Sequence, residues 1–171
     1  WTYDEALTLP TAPTREGYEF DYWTTDAAGL VELDEANLVA DAQILYAHWT
    51  AVAYDITFDA DGGNDVADGE WTYDAALTLP ADPTRTGYTF DGWFDESSVE
   101  VFTGSINDVA AAQTLTAHWN ANDYEISFET GAGDEVAAVT WTYDEALTLP
   151  TAPTLEGYEF DYWTPDAAGL V

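Results

Sequence analysis

From Tyr54 to Phe58, apolar Tyr54, Ile56 and Phe58 alternate with Asp55 and Thr57, the period-two pattern of a strand with one buried face. "DADGGND" follows as a turn in which Gly62-Gly63 supplies positive φ. "EWTYD" reads as a second strand and "ALTLP" as a short extended piece, with Pro80 and Pro83 stopping any helix. "GYTFDGW" alternates again, which places Tyr88, Phe90 and Gly92 on one face and Thr89, Asp91 and Trp93 on the other. "SSVEVFTG" predicts a short strand. "SINDVAAAQ" predicts a single helical turn capped by Ser105. "TLTAHW" predicts a closing strand with Leu115, Ala117 and Trp119 inward. No amphipathic helix longer than about two turns can be drawn anywhere.

The pattern is written more than once. Trp1, Trp71 and Trp141 are spaced by 70 residues, as are Trp23, Trp93 and Trp163. His48-Trp49 recurs as His118-Trp119, and "YDITF" as "YEISF" from Tyr124. Residues 1–31 and 141–171 differ only at Arg15 against Leu155 and Thr25 against Pro165. A fixed period of this kind marks tandem duplication. Reading the unit from its first alternating strand gives a complete module at 54–119. A module at 1–49 then lacks its first strand, and one at 124–171 lacks its closing strands, with links at 50–53 and 120–123. The start at Trp1, in mid-pattern and without Met, suggests a processed product or a piece of something longer.

Composition sharpens the class. Apolar residues make up 47% and aromatics 15%, so the chain has the means to fold. The 34 acids against two Arg and no Lys give a net charge of −32. Almost no cation is available to displace phosphate counterions, which excludes nucleic acid and a polybasic membrane contact. Self-repulsion should weaken the fold at low ionic strength and be screened at ~1 M salt, where the Debye length is ~3 Å. Saline surroundings and diffuse cation association suit such a surface. Without Cys there is no disulfide, thiolate metal site or cysteine nucleophile. No apolar run is long enough to span a membrane.

The candidate chemistry is thin. Asp59, Asp61, Asn64 and Asp65 offer oxygens at spacings that could suit Ca²⁺, but Gly63 stands at a ligand position and the repeat "ETGAGDE" at Glu129–Glu135 loses two of them. A hairpin turn accounts for both stretches. His48 and His118 lie in separate modules and read as surface or interface residues. The acid pairs Asp4-Glu5, Asp34-Glu35, Asp95-Glu96 and Asp134-Glu135 fit a solvated surface, and a 70-residue module leaves little room for a glycosidase cleft between them. No phosphate loop, nucleophile elbow or Ser/His/Asp arrangement is present, so no enzyme activity, cofactor, metal or catalytic residue is assigned. The Trp series and Tyr18, Tyr88 and Tyr158 recur as core positions should. Tyr22 and Tyr162 replace Gly92 and could stack on sugars or touch the next module.

Taken in order, "YDITFDADGG … WTYDAALTLPADPTRTGYTFDGWF … TLTAHW" resembles the Listeria–Bacteroides repeat, also called the internalin B-repeat. The resemblance covers the middle module and, register for register, both partial ones. It implies a mainly β fold (α+β at most) of small β-grasp-like modules in tandem, found in extracellular or cell-surface proteins as spacers or interaction modules without catalytic activity. Tyr22, Tyr162 and Leu155 depart from that pattern. The expected function is a structural or adhesive stalk or filament of a cell-surface protein, stiffened by short links. A carbohydrate-binding adhesin module is the alternative, with surface glycans or matrix as partner. The open sheet edges of 124–171 also invite head-to-tail strand complementation between chains.

Overall fold

Alternation and turn chemistry are satisfied locally, and each repeat builds its own sheet. The computed structural model describes residues 9–34 and 42–165. Its strands are β1 (Tyr18–Thr24), β2 (Tyr46–Ala51), β3 (Ala53–Asp59), β4 (Gly69–Thr72), β5 (Tyr88–Phe94), β6 (Glu100–Val101), β7 (Gln113–Ala121), β8 (Asp123–Ile126) and β9 (Val139–Thr142). Among the described residues there is no helix, so the fold is mainly β. Two compact units form, Trp1–Pro83 with Asp91–His118, and Thr84–Phe90 with Trp119–Val171. Their boundary runs through β5 and β7 rather than between repeats.

The middle repeat is a five-stranded sheet in the order β4-β3-β7-β5-β6. Its first and last long strands, β3 and β7, pair in parallel at the centre, with Ile56 opposite Gln113 and Phe58 opposite Leu115. That pairing buries Ile56, Phe58, Leu115 and Ala117, joined by Trp71, Leu77 and Trp93. Each large apolar side chain removed from water in this way contributes about 1.5–3 kcal/mol before entropy is counted. The turn after β3 has positive φ at Asp61 and Gly62, with Gly63 N–H donating to Ala60 O at 2.9 Å. Of the two glycines, Gly62 alone carries the φ the turn demands.

Two local expectations are corrected. Trp93 does not oppose Phe90: it is 1% exposed and packs edge-on to Phe58, with ring centroids 5.0 Å apart. The cause is visible in the first repeat, where the β1–β2 register slips between Phe20 and Tyr22. A bulge at that point resets the alternation, and Phe20 and Trp23 share a face at 5.4 Å. In the middle repeat the same site is Gly92, at φ +130°.

The second correction concerns "SINDV", which is extended and forms no helical turn. Ile106 bridges Ala76, Leu77 N–H donates to Ser105 O at 2.9 Å, and Ser105 Oγ accepts from Phe102 N–H. Buried Asn107 competes successfully with helix formation, because its amide reaches Trp71 O at 3.1 Å and its Oδ1 accepts from Val109 N–H and Gln113 Nε2. The strands also consume the predicted links. Of residues 50–53 and 120–123, Val52 and Asn122 alone lie outside a strand.

In the third repeat, β8 pairs antiparallel with β9. Tyr158–Trp163, whose counterparts are strands in the other two repeats, carries no strand.

Candidate functional site at the repeat junctions

The residues that the sequence marks most often meet where one repeat passes into the next. The turn Arg15–Tyr18 closes with Tyr18 N–H donating to Arg15 O at 3.1 Å, and Arg85–Tyr88 does the same at 3.1 Å. Gly17 and Gly87 sit in those turns at φ +74° and +81°, where glycine is favoured. A second reason excludes a side chain. A Cβ on Gly17 would lie 2.3 Å from Tyr73 Cγ, and one on Gly87 would lie 2.4 Å from the ring of Tyr143. The next repeat's tyrosine therefore lies flat on the glycine.

Around that contact the same set of interactions is built twice. Val52 N–H donates to Gly17 O at 2.9 Å while Val52 O accepts from Tyr73 N–H at 2.9 Å. Asn122 does likewise, between Gly87 O and Tyr143 N–H, both at 2.9 Å. A single residue thus ties the preceding turn to the following one. Tyr18 meets Tyr73 edge to face at 5.6 Å, and Tyr88 meets Tyr143 at 5.5 Å, a geometry favoured by the ring quadrupoles. Tyr18 Oη donates to Asp74 Oδ2, and Tyr88 Oη to Asp144 Oδ2 at 2.8 Å. Arg15 lies over the Tyr18 ring at 3.7 Å and Arg85 over the Tyr88 ring at 4.0 Å. These are the chain's two arginines, and both serve the same position.

The local sequence explains the placement. "WTYD" ends β4 and β9 in tight turns, with Ala75 N–H donating to Thr72 O and Glu145 N–H to Thr142 O at 3.1 Å. Asp74 and Asp144 hold positive φ there, which Asp tolerates. Trp71 Nε1 donates to Ala75 O at 3.0 Å and Trp141 Nε1 to Glu145 O at 2.8 Å, fixing each turn against its strand. The acceptor bond to Asp74 holds Tyr18 protonated and raises its pKa above the ordinary tyrosine value; Asp144 does the same to Tyr88. Tyr73 is also raised, by desolvation first and then by the charge of Asp74.

The residues singled out from sequence fall elsewhere or into this site. Tyr18 and Tyr88, expected in the core, are junction residues. Tyr22 stacks on His48 of its own repeat at 4.7 Å with planes 1° apart, rather than on the next module. His48 Nδ1 lies 3.0 Å from Asp21 Oδ2, which also accepts from Thr50 Oγ1 at 2.7 Å. Those two bonds, the one from Thr50 foremost, lower the Asp21 pKa. His118 stacks on Phe94 at 3.9 Å. Asp59 Oδ1 accepts from Asp61 N–H at 3.0 Å, and Asn64 Nδ2 donates to Asp65 O, so these groups serve the turn. Among the described residues no three His, Cys, Asp or Glu gather as metal ligands would. Of the acid pairs, Asp4-Glu5 and Glu35 lie outside the described residues. Sequence reasoning missed Gly17, Tyr73, Asp74 and their counterparts. The available signal was that both cations precede a Gly-Tyr pair at the same repeat position.

Three comparisons place this architecture. The Listeria–Bacteroides repeat domain matches residues 1–48, 54–118 and 124–170. The chain is 34% identical over 166 residues to a protein of Evansella cellulosilytica described as a Gly-rich membrane protein, covering 96% of this chain and 19% of that one. A second membrane protein of the same organism is 33% identical over 159 residues, 92% of this chain and 24% of its own. Internalin H of Listeria monocytogenes is 40% identical over 94 residues, 54% of this chain and 17% of its own. The chain thus spans about a fifth to a quarter of the first two relatives. No solved structure matches. Among the described residues no helix is long and apolar enough to cross a membrane. With three tandem matches across almost its whole length, the chain belongs to the Listeria–Bacteroides repeat domain family.

Proposed function

We propose that this chain is a stalk segment of a cell-surface protein, in which each repeat is clasped to the next. The observation that carries the reading is the duplicated junction. The chemistry of the repeat motif, Arg, Gly and Tyr from one repeat and Tyr and Asp from the next, is directed at a neighbouring repeat. In this reading 54–119 is a complete β-grasp-like module, and 1–49 and 124–171 are partial modules of the same kind. The β4-β3-β7-β5-β6 order with parallel β3 and β7 supports that description. An extracellular location is supported by relatives described as an internalin and as membrane proteins. The acidic surface suits saline surroundings and diffuse cations.

The adhesin alternative rests on exposed aromatics. Tyr22 argues against it, because one face of its ring is already covered by His48. Titration of the chain with a panel of oligosaccharides distinguishes the two. The stalk reading expects no saturable binding, and saturable binding lost in Tyr22→Ala would overturn it. A positive test is NMR relaxation of the backbone: replacing Tyr73 and Tyr143 by Ser should let neighbouring repeats reorient independently, with each sheet intact.

A further inference from the structure

Each junction brings two phenols together. Tyr18 meets Tyr73 with ring centroids 5.6 Å apart and planes at 76°, and Tyr88 meets Tyr143 at 5.5 Å and 74°. Edge-to-face rings at that separation touch, with no atom between them. All four tyrosines are half-buried, so each pair can be reached from solvent. In each pair one phenol is already bonded to a base: Tyr18 Oη donates to Asp74 Oδ2, and Tyr88 Oη to Asp144 Oδ2 at 2.8 Å. The flat contact on Gly17 and Gly87 accounts for a ring at Tyr73 and Tyr143, but not for a hydroxyl. The chain also has no Cys and no Lys, which removes the disulfide and the Lys isopeptide bond as covalent ties between repeats.

From this we infer that the junctions are sites of oxidative cross-linking, in which Tyr18 couples to Tyr73 and Tyr88 to Tyr143, joining consecutive repeats covalently. The oxidant is a one-electron acceptor of the haem peroxidase class, turning over hydrogen peroxide. Each phenol gives up its hydroxyl hydrogen as one electron and one proton. Asp74 takes the proton of Tyr18 and water that of Tyr73, and a positioned carboxylate within hydrogen-bond reach is a general base for that step. The Arg15 guanidinium, 3.7 Å from the Tyr18 ring centre, disfavours a cationic radical there. Electron and proton therefore leave together, and the phenoxyl that remains is neutral. The two phenoxyls combine through a carbon–carbon bond between ring positions beside the oxygen-bearing carbons. The ring hydrogens displaced at those positions restore both hydroxyls. In sum the pair loses two electrons and two protons, and one hydrogen peroxide becomes two waters. Bond formation needs one ring to tilt toward the plane of the other, by rotation about its own side-chain torsions. The second junction repeats every part, with Asp144 as the base and Arg85 over the Tyr88 ring at 4.0 Å.

This deepens the stalk reading and rests on it for its purpose: a clasp that opens reversibly becomes one that does not. The coupling itself needs only the junction geometry.

Treating the whole chain in dilute solution with a plant haem peroxidase and hydrogen peroxide tests it. The expected product shows dityrosine fluorescence, runs as a monomer in denaturing electrophoresis and is lighter by two hydrogen atoms for each coupled pair. Peptides from cleavage at Asp and Glu should join Tyr18 to Tyr73 and Tyr88 to Tyr143. Tyr73→Phe keeps a ring on Gly17 and should abolish the first link while sparing the second. Asp74→Asn should slow the first link by about tenfold or more, with the second as control in the same molecule. Hydrogen exchange at Val52 and Tyr73 N–H should slow once the first pair is joined. Links spread among the tyrosines without preference for these pairs would overturn the inference. So would oxidation that leaves both pairs uncoupled, or a first link formed at the same rate in Asp74→Asn. None of these results touches the stalk reading, which stands or falls on the relaxation of the Tyr73→Ser, Tyr143→Ser chain.

Discussion

Replacing Gly87 by Ala isolates the junction, because the chain contains its own control. Gly87 and Gly157 hold the same turn, at φ +81° and +82°, so an added methyl group meets the same backbone strain of about 1–2 kcal/mol at both. Their surroundings differ. At Gly157 a Cβ finds nothing within 4 Å, whereas at Gly87 it would lie 2.4 Å from two carbons of the Tyr143 ring. That ring also meets Tyr88 edge to face, and the backbone beneath it is tied by the bond from Tyr143 N–H to Asn122 O. Relief of the overlap must therefore lift Tyr143 off the turn, and overpacking of this kind costs about 1–3 kcal/mol. The excess at Gly87 over Gly157 corresponds to a roughly 5- to 150-fold larger opening constant at the junction. Hydrogen exchange read at Asn122 N–H and Tyr143 N–H, the two donors of the clasp, measures it directly. Protection at both should fall in Gly87→Ala and stay unchanged in Gly157→Ala. In a Tyr143→Ala background, Gly87→Ala should cost the strain alone. Equal losses at Asn122 for the two glycine variants, or no coupling to Tyr143, would refute the assignment of the ring contact as the reason for glycine.

Other outcomes follow from the same geometry. Tyr18 and Tyr88 have pKa values raised above the ordinary ~10 by their acceptor bonds, so their contribution is fully present below pH ~10 and lost as pH rises through the folded values. Phenolate absorbance should show a late-ionising set that Asp144→Asn moves back toward ~10, and exchange at Asn122 should quicken over the same window. Leu77→Ala should destabilise by about 2–4 kcal/mol in urea unfolding, while Leu147→Ala at the equivalent exposed position costs under ~1 kcal/mol; equal costs would mean the third repeat is closed. The melting temperature should climb between low and ~1 M salt as acid–acid repulsion is screened, and a flat response would detach the charge from stability.

What could be read from sequence depended on whether a signal was local. Alternation in "YDITF" and "TLTAHW" predicted β3 and β7 and their buried faces, because a period of two states the face directly. The same rule failed at Trp93, since a bulge slips the period at a point that the sequence marks only by Gly92 inside the strand. "SINDVAAAQ" reads as a single helical turn with Ser105 as its N-cap. What decides its path is the Asn107 amide reaching Trp71 O, a contact across 36 residues that no local pattern encodes. The junction stayed hidden for a related reason. Its parts are legible singly as a turn glycine, a repeat tyrosine and a pair of arginines, but their meeting depends on Val52 and Asn122 carrying one repeat into the next with no linker between.

That absence of a linker gives the repeated motif its meaning. Had 50–53 been a flexible tether, "PTREGYEF" would need to stabilise only its own repeat, and a left-handed glycine at Gly17 would be a plain turn. With Val52 the sole residue between β2 and β3, the turn of one repeat is delivered onto the "WTYD" turn of the next, and each half is apolar surface without the other. The arginine follows the same logic, since its guanidinium lies over the ring of the tyrosine that meets the neighbour. The motif is therefore half of an interface written once per repeat, and its 70-residue period is the spacing at which each half finds its complement.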